Sequence, residues 1–137
     1  MNKVSFDFDG TLGQYLSVQA YAKELVQRGI EVWIVTRRYD SLERYTPEFN
    51  FRYNIVNLEE EHKYLFEVAD GCGIKREHIK FMNMDDKYKF FKNNEDFIWH
   101  LDDDIYEIKD INKHTKTKGI SVANNWKHKC EKLLKNG

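Results

Sequence analysis

The sequence is poor in the residues that mark an oxidising, membrane-embedded or fibrous setting. It has one proline, Pro47, and two cysteines, Cys72 and Cys130, which stand far apart and outside any CxxC or Cys/His spacing. Neither a disulfide framework nor a zinc site is therefore expected, and both thiols are read as reduced and packed. No window approaches the roughly 18 apolar residues of a membrane span, and no run of signal-peptide length opens the chain. The expectation is a cytoplasmic protein with no membrane partner. Net charge is also scarce: 33% of residues are charged, yet they sum to -1, so the average surface gives no electrostatic case for nucleic acid. The lysines between 109 and 135 read as a solvated face rather than a docking patch. Repeats and low-complexity tracts are absent, and 137 residues suffice for one domain with a real core, 1–137, but not for two.

What is present is alternation. Strand-like apolar runs occur at 3–8, 31–35, 79–82, 97–101 and 119–122. Helical patterns lie between them at 15–28, 58–68, 87–92 and 125–134, the first with Leu16, Ala20, Ala22, Leu25 and Val26 near helical spacing and Gly29 as its stop. Strand and helix taking turns predict an α/β fold: three layers, doubly wound, with a mostly parallel sheet covered on both faces. In such sheets ligands gather at the carboxyl ends of the strands.

Polar groups recur at those ends. Val4-Ser5-Phe6-Asp7-Phe8-Asp9-Gly10-Thr11 delivers two carboxylates, two residues apart, to a turn, and on an extended chain they share a face. Crowded acids call for a cation, and a hard divalent ion is the usual answer. Thr36 follows Val32-Trp33-Ile34-Val35, and Asp102-Asp103-Asp104 follows Phe97-Ile98-Trp99-His100-Leu101, with Lys87 opening the helix before that strand. Acids, a hydroxyl and an ammonium on one edge suit phosphoryl transfer. The cation screens two anions from each other, while Lys87 and Thr36 hold phosphate oxygens. Arg37 and Arg38 stand beside Thr36, and Arg37 is taken as a phosphate ligand, with a surface ion pair as its rival. Thr36 also suits a helix cap, and Asp104 reads better as the cap of the segment from Ile105 than as a third ligand. His100 is read as a packed histidine of the sheet.

Asp7-Phe8-Asp9-Gly10-Thr11, the strand ending in Thr36, Lys87, and the strand ending in Asp102-Asp103 resemble, in order, the four motifs of the haloacid dehalogenase superfamily of phosphohydrolases. The resemblance runs from Lys3 to about Ile108. It implies that Asp7 is a nucleophile that becomes an aspartyl-phosphate, and that Asp9 protonates the leaving group and then activates water. It further implies magnesium held by Asp7, by Asp9 through its backbone carbonyl, and by Asp102 and Asp103. An aspartate at position 9 favours phosphate esters over the halides and phosphonates that other members cleave. The gaps between motifs are too short for a cap domain, leaving Tyr45 to Asn57 as a possible small lid and the site open to bulky substrates.

The expectation is thus a magnesium-dependent phosphatase acting on a phosphorylated small molecule or macromolecular end. One alternative is a nucleotide or nucleic-acid-end phosphatase. Another is a phosphate-binding or regulatory module without turnover, as in receiver domains, whose paired acids come first and whose phosphorylated aspartate comes from a later strand.

Overall fold

In a computed structural model describing residues 2–41, 48, 57–123 and 125–136, the chain forms one sheet with helices on both faces. The strands are β1 (Lys3–Phe6), β2 (Glu31–Thr36), β3 (Ile79–Phe81), β4 (Phe97–Asp102) and β5 (Lys118–Ser121), in the order β3-β2-β1-β4-β5. Every pairing is parallel, as in Rossmann-like three-layer folds. Helices α1 (Leu16–Gln27), α2 (Lys63–Cys72), α3 (Tyr88–Lys92), α4 (Ile105–His114) and α5 (Trp126–Asn136) connect or follow them. The chain winds outward from β1 through β2 to β3, then crosses back to β4 on β1's other side. The crevice between β1 and β4 is therefore the switch point at which parallel sheets bind ligands.

The central strands divide their apolar side chains between two cores, with a register shift at the start of the β1–β4 ladder setting Phe97 apart from Trp99 and Leu101. Val4 and Phe6 of β1, with Ile34, Trp99 and Leu101, face the larger core under α1, α2 and α5; Phe6 meets Trp99 edge to face at 5.3 Å. Val35 and Phe97 face a smaller core with Phe91 of α3 and Ile111 of α4. Ser5 and His100, a ladder pair, are polar but fully buried. Both cysteines are buried and free, as expected from their spacing.

Three expectations need correction. Helix α1 buries Val18, Tyr21, Ala22 and Leu25, a true i, i+3, i+4, i+7 stripe, while Leu16 is 80% exposed and Ala20 is exposed. The helix predicted over 58–68 is broken at His62 into a turn, Leu58–Glu61, and α2. Finally, β1 stops at Phe6, and Phe8–Leu12 coils into a wide turn, with Gly10 at φ +83°, so strand alternation does not reach Asp9. Within residues 45–57, only Glu48 and Asn57 are described; the lid expectation otherwise lies outside the described residues.

Candidate functional site

The parallel ladder itself brings the first two carboxylates together. Phe6 pairs with Leu101, and Asp7 N–H continues the ladder by donating to the Leu101 carbonyl at 2.8 Å. Asp7 and Asp102 therefore leave adjacent strands side by side, on the face that Ser5 and His100 share. Lys87, just ahead of α3, fills the space between them: its Nζ donates to Asp7 Oδ1 and to Asp102 Oδ2, each at 2.7 Å. All three side chains are almost wholly buried.

A buried ammonium between two carboxylates keeps its charge. Burial opposes it, but Asp7 and Asp102 outweigh that, and the Lys87 pKa lies above its ordinary value. The two acids diverge. For Asp102, burial is overcome by the hydrogen bond from His100 and by the charge and hydrogen bond of Lys87, which hold its carboxyl below the usual range. For Asp7, burial wins over Lys87, the charge of Asp102 adds to it, and its pKa lies well above normal. One ammonium does not satisfy the cluster.

Asp103 joins from the exposed side. Asp7, Asp102 and Asp103 each offer an oxygen such that all three lie within 4.8 Å of one another. Gly10 makes room for this, because a Cβ there would come within 2.3 Å of Asp103 Oδ2. Three carboxylates facing one ammonium are an all-oxygen donor set with unbalanced negative charge, which suits a hard divalent cation. Asp7, Asp102 and Asp103 would hold it. Asp104 is occupied otherwise: its Oδ1 accepts from the N–H groups of Tyr106 and Glu107 and caps α4, the role favoured from the sequence.

A second set of buried groups braces the first. His100 Nε2 lies 2.8 Å from Asp102 Oδ2, and Nδ1 lies 2.7 Å from Ser5 Oγ. Burial lowers the histidine's pKa. A neutral ring must then donate to the carboxylate through Nε2 and accept from the serine at Nδ1. His100 is packed, as read from the sequence, but it also orients Asp102. Thr11 Oγ1 donates to Asp7 Oδ2 at 3.2 Å. Glu107 is the residue the sequence reading missed most completely. Its Oε2 accepts the Lys87 backbone N–H at 3.3 Å and its Oε1 accepts from Arg37 at 3.1 Å. The Asp104-x-x-Glu107 spacing advertised a capping box, but the glutamate turns to Lys87 instead. Ser5 and His100 were findable, since alternation puts them on the face of Asp7 and Asp102.

The remaining residues divide differently from expectation. Thr36 ends β2, buried, with Oγ1 accepting the Arg38 N–H at 3.3 Å, and it caps no helix. The guanidinium of Arg37 bonds Glu107, Asp86 at 3.5 Å and the Met84 carbonyl, the ion pairs of the rival reading. Arg38 is the one that reaches the first turn, gripping Asp9 through Nε–Oδ2 at 2.9 Å and Nη2–Oδ1 at 2.8 Å. Asp9, 62% exposed, contributes no carboxylate oxygen to the clustered acids. Its side chain turns toward the end of β2, where Arg38 holds it.

No protein-family model and no curated protein matches the chain. Among the described residues, no helix is long and apolar enough to cross a membrane.

Proposed function

We propose that the chain is a phosphatase of the haloacid dehalogenase type, dependent on a divalent cation with magnesium the expected ion, that hydrolyses a phosphate monoester through an aspartyl-phosphate. The observation that supports this most is the meeting of Asp7, Lys87, Asp102 and Asp103 at one strand switch, from the sequence positions the four-motif resemblance assigns. A bound cation would supply the positive charge that lets a carboxylate approach a phosphate dianion.

The protein's own groups then divide the work. Lys87 and the buried turn fix Asp7 with one oxygen on the ammonium, leaving Oδ2, under the Thr11 hydroxyl, to attack phosphorus. As the Asp7–phosphorus bond forms, the bond to the ester oxygen breaks, and Asp9 gives that oxygen a proton. In the second half, water attacks the aspartyl-phosphate, Asp9 takes the proton, inorganic phosphate leaves and the Asp7 carboxylate returns. Thr36 accepts from Arg38 N–H, so its hydroxyl proton remains for a phosphate oxygen. Lys87 counters the charge that builds on the transferring group.

Phosphate release with magnesium over a panel of aryl, sugar, nucleoside and 3′-phosphorylated oligonucleotide esters, run beside Asp7→Asn, tests the reading. Wild-type turnover that the substitution abolishes is expected. Equal rates would sink the nucleophile assignment, and stable phosphorylation without release would favour a binding or signalling module.

A further inference from the structure

Arg38 and Asp9 make more than a surface ion pair. They come from the ends of neighbouring strands, β1 and β2, and the fork of the guanidinium takes both carboxylate oxygens. An exposed pair of this kind ordinarily contributes little, because the arginine must be immobilised to form it. Here the immobilisation is built in. The third nitrogen, Nη1, lies 3.1 Å from His62 Nδ1 and 3.3 Å from the Glu61 carbonyl, and the guanidinium lies 5.1 Å from the centre of the Phe8 ring.

His62 is itself fixed. It is fully buried, in contact with the rings of Phe66 and Phe81, with Nε2 3.0 Å from the Tyr39 carbonyl. A carbonyl only accepts, so Nε2 carries the proton and Nδ1 is left bare to accept from Arg38. The break between the turn Leu58–Glu61 and α2 falls at this histidine and frees the Glu61 carbonyl for the same arginine. A buried polar ring and a helix interruption thus serve to aim one guanidinium at one carboxylate. That carboxylate has about four lone-pair sites, and the fork takes two. The others belong to a side chain that is largely exposed.

Resting on the reading of Asp9 as acid and base, we propose that Arg38 is its positioning residue, and that His62 holds Arg38 in register. The pair fixes where a proton is delivered. Loss of the arginine leaves the Asp9 carboxyl in the chain but free to rotate, and small misplacements of a reacting group can cost about 10²-fold.

Dependence on the leaving group isolates this role. A nitrophenolate departs without proton assistance, whereas an alkoxide needs it. The experiment compares kcat/KM for p-nitrophenyl phosphate and for a simple alkyl phosphate, with magnesium, in wild type, Arg38→Ala, His62→Phe, Asp9→Asn and the Arg38→Ala/Asp9→Asn double variant. Arg38→Ala should lose about 10–100-fold on the alkyl ester and less than about 3-fold on the aryl ester. His62→Phe keeps the ring contacts, removes the acceptor and should lose less in the same pattern; it also serves if Arg38→Ala does not fold. In the Asp9→Asn background Arg38→Ala should cost nothing further. Equal losses on both esters, or losses that multiply in the double variant, would overturn the proposal while leaving the phosphatase reading standing. A wild-type chain that hydrolyses neither ester overturns that reading, and this one with it.

Discussion

Replacing Lys87 by methionine keeps the length and most of the volume of the side chain but deletes the ammonium that touches Asp7 and Asp102 at 2.7 Å. With divalent cations chelated, two buried carboxylates are then left facing each other. The cheapest escape is for one to take a proton, and its cost sets the ceiling on the damage. From an ordinary aspartate pKa near 3.9, protonation costs about 4 kcal/mol at about pH 7 and about 1.5 kcal/mol at about pH 5. The upper figure lies within the roughly 3–5 kcal/mol found when one partner of a buried ion pair is removed. For a domain of this size it corresponds to a melting temperature lower by about 10–15 °C. Urea unfolding of both proteins at the two pH values, with chelator present, should show a penalty near the ceiling at the higher pH and a much smaller one at the lower. Magnesium should then raise the melting temperature of the variant more than that of the wild type, since the vacated charge is of the sign a cation replaces. A penalty equal at both pH values would refute the claim that buried negative charge dominates this crevice.

Three further outcomes follow from the same geometry. Gly10→Ala places a Cβ at φ +83° and within 2.3 Å of Asp103 Oδ2; it should cost about 1–2 kcal/mol from the backbone alone and weaken magnesium binding by calorimetry, while Gly29→Ala, whose Cβ meets nothing, should cost only the backbone part. His100→Leu removes the donor that orients Asp102 and should lower magnesium affinity about 10–100-fold; unchanged affinity would leave His100 a packing residue. Burial holds His62 and His100 below the ordinary histidine pKa of 6.5, so both bind protons more readily when unfolded. Stability from this source is fully present above about pH 6.5 and is lost as pH falls, by at most about 1.4 kcal/mol per pH unit for each histidine; His62→Phe should flatten that limb of a stability profile.

The ends of the three central strands were legible to within two residues because a buried parallel strand writes itself as an apolar run, and β1, β2 and β4 are followed or closed by Asp7, Thr36 and Asp102. The Asp104 cap was legible for the same local reason. Helix α4 was not singled out, since its buried side chains are only Glu107 and Ile111, too few for a stripe. The stripe of α1 was misplaced because Tyr21, mostly apolar by surface, was not counted and the exposed Leu16 was. Where the cause is long-range the sequence is silent. Nothing near His62 announces a helix break whose reason is Arg38 and the Tyr39 carbonyl, and nothing distinguishes Arg37 from Arg38. Their division depends on Glu107 standing to one side and Asp9 to the other.

The central claim is that Asp7 carries the phosphoryl group. Asp9→Asn should slow hydrolysis of that intermediate while still admitting an activated aryl phosphate, so acid quenching after mixing with magnesium and p-nitrophenyl phosphate should leave the group on the protein. Peptide mass spectrometry is expected to find it on Asp7, and to find none when Asp7→Asn is added. A label on any other residue, or phosphate release that persists in Asp7→Asn at the wild-type rate, would contradict the account.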